Sequence, residues 1–506
     1  MEPNKILDYE QVLQKLNKIY EKSNGKIKKL PDLAITKYGL PISHYAIGHG
    51  NKEIVLTGAT HGAEIISTDF ILKLMEEMSN ENGRFKNINL NDFTFHFIPM
   101  LNPEGYLIST SAVRQLIPRD MKSEDAEKIC KQYYLAYKQD DKDALTRIKS
   151  GLEPINYGLK HHQEMFKNID WTCIDEKYDG LRKKVKQIYE TYPDLPKGSI
   201  VSWNANGDGI DIQANSIHNP RVKQIQNGER FFTDKLRYSN IDNSHPGPLN
   251  CPMDSKEGFY ETIETKAIGD LLESLHKKGT LAGYQNYHST GGLIYQRPCK
   301  NGNDFEISHD LYWGTIVNNI FQAMSYDRKT YKNALDKQNS RYTILKKAGA
   351  PTSTNDIFRM KYPADLLIEL SGMGGNPIAP YGDIKGNYTN VMESNLDAYS
   401  DFISNYEITN KLSKAAYNAF RYMMKKHKQE PDEGLKEQHI MSVYEISEIM
   451  MNEALKYIKD GKIDELEQML TQGFFADTLP ESPKKNQDDG RWYLSSKFFL
   501  KIFYER

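Results

Sequence analysis

Cysteine is scarce in this chain. Four cysteines (Cys130, Cys173, Cys251 and Cys299) are scattered through 506 residues without C-x-x-C spacing. That excludes a disulfide framework and a thiolate metal site by pattern. Long apolar runs are missing too. No stretch approaches the roughly 18 consecutive apolar residues of a membrane span. The start of the chain, MEPNKILDYEQVLQKLNKIYEK, lacks the apolar core and cleavage site of a signal peptide. A cytoplasmic protein with reduced thiols is expected. Nor is there an excess of one charge: Lys+Arg 66 against Asp+Glu 68 leaves no electrostatic case for nucleic acid or an anionic membrane surface. What remains, with 39% hydrophobic and 26% charged residues, is the composition of a globular chain.

The stretch around which the chain is organised is Glu53–Met78, EIVLTGATHGAEIISTDFILKLMEEM. Ile54, Val55 and Leu56 form an apolar run of strand length, broken at Gly58. Apolar residues then recur at Ile65, Ile66, Phe70, Ile71, Leu74, Met75 and Met78, a helical period. His61 and Glu64 lie at this strand-to-helix junction, three residues apart, so both can point at one spot. An imidazole and a carboxylate beside a strand end are two of the three protein ligands usual in a catalytic zinc site. The spacing His-x-x-Glu occurs twice more, at His161/Glu164 and His427/Glu430. Those copies lie in polar, Lys-rich helical sequence with no preceding strand and read as solvated helix faces.

In chain order, residues 8–22 read as an amphipathic helix and 34–57 as two or three strands. FTFHFIP (93–99) reads as a strand ended by a turn at Asn102-Pro103-Glu104-Gly105-Tyr106. Strand, helix and strand in this length imply a parallel sheet with helical crossovers. Residues 121–196 are charged and helix-forming, and read as a helical insertion. Strand-like sequence returns at Ser199–Trp203. Residues 216–258 are loop-rich. A helix is expected at 263–278, a strand at Leu281–Tyr287 delivering His288, and a helix at Tyr312–Met324. The run Leu366–Leu370 reads as a strand carrying Glu369. Beyond Tyr406 the pattern is helical to about Met469. The expected fold class is α/β: a mixed, mostly parallel sheet flanked by helices. The expected domains are a catalytic domain at 1–405 and a C-terminal helical appendage at 406–506.

Glu369 stands out because a carboxylate in an apolar strand costs several kcal/mol unless paired, protonated or functional. The glycines that follow, in Ser371-Gly372-Met373-Gly374-Gly375, suit a strand C-terminus, where ligands bind in open parallel sheets. His288, in NYHSTGG, also sits at a strand end. It becomes a ligand candidate because His61 and Glu64 need a third partner. Asp211 is a candidate for orienting a metal-bound imidazole.

Together the segments HGAE (61–64), PMLNPEGY (99–106), GIDIQAN (209–215), NYHS with His288, and LLIEL with Glu369 resemble the zinc carboxypeptidase family of metallopeptidases. That family carries H-x-x-E, P-x-x-N-P-D-G-Y, G-V-D-x-N-R-N, H-S and T-x-E-L in this order. The segment 245–267 also resembles the family's sequence before the third zinc ligand. The likeness covers roughly residues 5–405. It implies one zinc ion held by His61, Glu64 and His288, and Glu369 as the base that activates a metal-bound water. It also implies Asp211 hydrogen-bonded to a ligating histidine, and Arg114 or Arg119 polarising the scissile carbonyl. The implied partner is a peptide substrate.

The chain also departs from the family. Where the family has Asn-Arg to clasp a terminal carboxylate, this sequence has Gln213-Ala214 followed by Asn215. Gln213 and Asn215 are the substrate-contact candidates there. Asp356 falls near the family's specificity pocket, and Tyr342 is nearest to its substrate-capping tyrosine. WNANGDGIDIQAN and ELSGMGGNPIAP resemble the bacterial γ-D-glutamyl-diaminopimelate peptidases most, which implies a cell-wall muropeptide as substrate. Two other readings compete with a peptidase. One is a zinc deacylase of N-acyl amino acids on the same fold; the other is a binding protein without activity.

Overall fold

Ile54, Val55 and Leu56 occupy the middle strand of a seven-stranded sheet. All three are buried, as an apolar run covered on both faces should be. The computed structural model describes residues 6–149, 164–191, 197–213, 261–289, 293–296, 365–370 and 387–404, with a few short stretches beyond them. The chain forms two compact units, Met1–Tyr295 with Lys332–Glu393, and Gln296–Tyr331 with Ser394–Arg506.

The sheet strands are β1 (Ile27–Lys29), β2 (Tyr45–Gly48), β3 (Lys52–Thr57), β4 (Phe93–Ile98), β5 (Leu281–Ser289), β6 (Leu293–Gln296) and β7 (Asp365–Leu370). Their spatial order is β1-β2-β4-β3-β5-β7-β6. β3 is parallel to β4 and β5, and β5 is parallel to β7. β2 runs antiparallel to β1 and β4. The helices are α1 (Tyr9–Lys22), α2 (Ile65–Ser79), α3 (Pro103–Leu116), α4 (Ser123–Lys149), α5 (Asp179–Thr191), α6 (Ile263–Lys278) and α7 (Asn387–Ser404). This is the expected mixed α/β sheet flanked by helices.

The two sheet faces can be told apart by the alternation of β5. Tyr287 packs on Phe70 of α2, with ring centroids 4.7 Å apart. Tyr284, of opposite parity, packs with Val55, Ile98 and the α6 residues Ile268, Leu272 and Leu275. So α2 and α6 cover opposite faces, and Asn286 and His288 share the α6 face with Tyr284. The apolar side chains of α2 are almost wholly buried, each worth up to about 1.5–3 kcal/mol. The helix therefore fixes the height of the His61–Glu64 junction above the strand end.

Two local readings change. Ser199–Trp203 was expected as a strand, but Lys197–Ser202 forms a 3-10 helix. It lies against α3, where the Ser109 hydroxyl donates to the Val201 carbonyl, so its apolar side chains are buried without a sheet partner. Asn102–Tyr106 is a helix start instead of a turn. Asn102 caps α3 by accepting from the Gly105 N–H at 2.9 Å, and Pro103 takes the first helical position, where its missing N–H costs nothing. The described part of 121–196 carries α4 and α5. In the second unit, the described residues of α7 include buried Leu396, Tyr399 and Ile403. A further pair, Lys484–Lys485 with Trp492–Tyr493, is antiparallel. The expectations for 216–258, 312–324 and most of 406–506 lie outside the described residues.

A polar chain, largely buried, runs from His44, just before β2, through β4 to β3. His44 Nε2 lies 2.9 Å from His96 Nδ1, and His96 Nε2 lies 2.6 Å from Glu53 Oε2. Burial, reinforced by the charge of His96, pushes His44 down to about 4, and burial also lowers His96 against the pull of Glu53. A histidine depressed by folding takes up fewer protons in the folded chain than in the unfolded chain between about 4 and 6.5. Stability therefore rises with pH across that window and is lost on acidification. Urea unfolding at pH 7 and pH 5 should show this loss, and it should shrink by up to about 2 kcal/mol in His44→Gln. An unchanged pH dependence in that variant would show that His44 does not carry it.

Candidate metal centre

The junction that carries His61 is a close-packed turn. Leu101 and Asn102 donate their backbone N–H groups to the carbonyls of Gly58 and Ala59. The amide of Asn102, which is fully buried, reaches the carbonyls of Thr60, Asn204 and Ala205 at 3.0–3.2 Å. One side chain thus joins the His61 turn, the start of α3 and the loop that leads to Asp211. Gly62 completes this packing: a Cβ there would lie 2.1 Å from the carbonyl carbon of Gly105. Glu104 accepts from the N–H groups of Tyr38 and Gly207 at 3.0 and 2.9 Å, which fixes the far end of the same loop. Burial raises the pKa of Glu104, and burial with the charge of Glu104 raises that of nearby Glu264.

Three side chains converge above this scaffold. His61 Nδ1 lies 3.0 Å from Glu64 Oε1, and His288 Nδ1 lies 2.9 Å from Glu64 Oε2. The two Nδ1 atoms are 3.3 Å apart. Asp211 Oδ1 approaches His61 Nε2 at 3.4 Å, so the ring presents one nitrogen to the cluster and the other to a carboxylate. Ser289 donates its N–H to Glu64 Oε2 at 3.2 Å. His61, Glu64 and His288 are all buried, and His288 Nε2 has no hydrogen-bond partner among the described residues.

The electrostatics follow from this crowding. Burial opposes ionisation of Glu64, but the adjacent rings of His61 and His288 hold its carboxyl well below the usual range. For His61, burial lowers the pKa, and the carboxylates of Glu64 and Asp211 outweigh it, so the ring is raised. For His288 burial prevails over Glu64, and the ring is lowered.

The donor set suits a divalent metal. One ligand atom from each of the three residues can be chosen so that all lie within 4.8 Å of one another. Zinc bonds of about 2.0–2.1 Å set tetrahedral ligand atoms roughly 3.3–3.4 Å apart. The observed N···N separation matches that edge, and the N···O separations are slightly shorter. Two imidazoles and a carboxylate are the ligand types of catalytic zinc sites that leave a fourth position for water.

Residues 33–131 match the sequence model of the zinc carboxypeptidase family, Peptidase_M14. This segment is similar to zinc carboxypeptidase sequence. It contains His61 and Glu64, and its match stops well before His288. The search of curated proteins found no match. Among solved structures, bovine thrombin-activatable fibrinolysis inhibitor in complex with tick carboxypeptidase inhibitor is 11% identical, with 81% of this chain and 100% of that chain covered and a TM-score of 0.42. A carboxypeptidase A from Helicoverpa armigera is 12% identical, covering 79% and 75%, at 0.36. A metallo-carboxypeptidase from Burkholderia cenocepacia is 10% identical, covering 78% and 69%, at 0.32. At such scores the likeness to the family rests on the match over 33–131.

The remaining candidates fall elsewhere or outside the described residues. Glu369 is in β7, in register with His288 of β5. Gln213 donates its N–H to Asp211 Oδ1 at 3.0 Å. Arg114 and Arg119 gather around Asp8, the N-cap of α1: Arg114 Nε lies 3.4 Å from its carboxylate, and Arg119 Nε donates to it at 2.9 Å. Asn215, Tyr342 and Asp356 lie outside the described residues. Asn102 was the residue that motif reading passed over. Its signal was present in the N-P-E-G-Y segment, as an Asn directly before a helical Pro.

Protons compete with a metal for imidazole nitrogens. Zinc retention against a chelator should therefore weaken as pH falls from 8 to 6, and removal of the metal should lower the thermal midpoint. His288→Ala should abolish stoichiometric zinc by metal analysis. Gly62→Ala drives a methyl group into the Gly105 backbone; it should cost about 1–3 kcal/mol in urea unfolding and reduce zinc occupancy. Wild-type occupancy in that variant would contradict the packing account.

Proposed function

We propose that the chain is a zinc metallopeptidase that hydrolyses an amide bond of a peptide. The observation that carries this reading is the convergence of His61, Glu64 and His288, from two elements more than 220 residues apart in sequence. The family match over 33–131 supports the same chemistry. When bound, zinc polarises a carbonyl and brings the pKa of a bound water near neutrality.

The chain's own residues do the rest. Glu369 is the proposed general base, which takes the proton of the attacking water and returns it to the departing amine. Its register opposite His288 supports that placement. Asp211 holds His61 in one orientation through its second nitrogen. Gln213 and Asn215 are the proposed contacts to the end of the peptide, and Asp356 to a side chain. A role for Arg114 or Arg119 at the scissile carbonyl includes release from Asp8. With Ala214 where the family's arginine would clasp a free carboxylate, the proposed substrate is a cell-wall muropeptide with its extra amines and carboxylates. No helix among the described residues is long and apolar enough to cross a membrane.

The test pairs metal analysis with turnover on a C-terminal dipeptide, a γ-D-glutamyl-diaminopimelate tripeptide and an N-acyl amino acid. About one zinc per chain is expected, with cleavage of the tripeptide. Glu369→Gln should keep the zinc and lose on the order of 10²–10⁴ in rate. Cleavage of the N-acyl amino acid alone would make the chain a deacylase instead. Zinc without turnover on any of the three would favour a binding protein.

A further inference from the structure

Thr57, the last residue of β3, and Asn286 of β5 are register partners in the parallel ladder. Asn286 Oδ1 accepts two hydroxyl hydrogen bonds, from Thr57 at 3.1 Å and from Thr60 at 2.7 Å. Thr57 Oγ1 also lies 3.1 Å from the Tyr284 hydroxyl, so the four side chains form one polar chain on the α6 face of the sheet. Two of its members, Thr60 and Asn286, stand beside the cluster. Thr60 directly precedes His61, and Asn286 lies two residues before His288 on the same face of the same strand.

The ligands thus have two kinds of connection. Glu64 bridges His61 and His288 directly. The Thr60–Asn286 bond joins the His61 turn to the His288 strand without passing through a ligand side chain. It does so where β3 has ended and the backbone turns through Ala59 at a φ of 45°, a left-handed conformation rare for a residue with a side chain. No strand ladder holds the turn at this point. Asn286 is half-buried, so the bond is partly shielded from competing water.

We infer that Asn286 is a positioning residue of the metal centre: with Thr60 it sets the spacing between the His61 and His288 imidazoles. This inference rests on the proposed metal site. Neither residue touches the metal position; both act through the ligands they adjoin. Contacts of this outer kind commonly carry about 10–100-fold in metal affinity or activity.

The test is zinc affinity by chelator competition on the full chain, alongside thermal unfolding of the metal-free protein. Asn286→Ala and Thr60→Val remove the acceptor and the donor; Thr60→Val keeps the branched shape. Each should weaken zinc binding about tenfold or more, and the double variant should lose no more than the larger single loss, because the two share one bond. Thr60→Ser and Asn286→Asp restore a donor and an acceptor and should recover affinity. The metal-free midpoints of Thr60→Val and Thr60→Ser should agree, which a merely structural role for the hydroxyl would not give. Affinities within about twofold of the parent, or losses that add in the double variant, would overturn the inference and leave the metal site standing. A parent chain that holds no zinc would overturn both.

Discussion

A buried carboxylate between two imidazoles is the constraint on which this site depends. Glu64 is almost wholly shielded from water, and an isolated charge there would be prohibitively costly. It is tolerable because His61 and His288 flank it and the Ser289 N–H points at it. Each partner comes with its own structural demand. His61 requires the tight turn after β3, and His288 requires β5 to lie directly beside β3. The Ser289 N–H requires the strand to continue past the ligand. The middle of the sheet can be read as the set of conditions under which this carboxylate can be buried.

The turn after β3 meets its demand through backbone proximity. With hydrogen at Gly62, the turn lies directly against Gly105 at the start of α3. Asn102 then draws three carbonyls from two separate loops to one amide. This explains why the N-P-E-G-Y segment lies so close to the His61–Glu64–His288 cluster while contributing no side chain to it. It is a clamp, and the glycines allow it to close. Asp211, whose carboxylate lies 3.4 Å from His61, arrives on the loop that this clamp holds.

Much of this was legible in the chain. The run Ile54–Leu56, the helical period after Ile65 and the two strand ends bearing His288 and Glu369 are local patterns, and local patterns survive folding when they agree with burial. The clustering of His61 and Glu64 was legible because they are three residues apart at a junction of two periods. The rest depended on tertiary partners. Nothing in FTFHFIP indicates that His96 joins His44 to Glu53, since the contact needs β4 to lie between β2 and β3. The hub role of Asn102 was equally hidden, because two of its acceptors lie about a hundred residues ahead. Ser199–Trp203 misled because an apolar run of that length suits a strand or a short buried 3-10 turn equally well.

The long separation between the ligands bears on how the protein is made. His288 follows 227 residues after His61. The β3–β5 pairing that seats it closes one of the largest loops in the described sheet, a slow event for a growing chain. A nascent chain that stops short of residue 288 has only two of the three ligands, together with the match to the family. The three-residue cluster therefore exists only once β5 has paired with β3, so the candidate metal centre reports on the completion of the middle of the sheet.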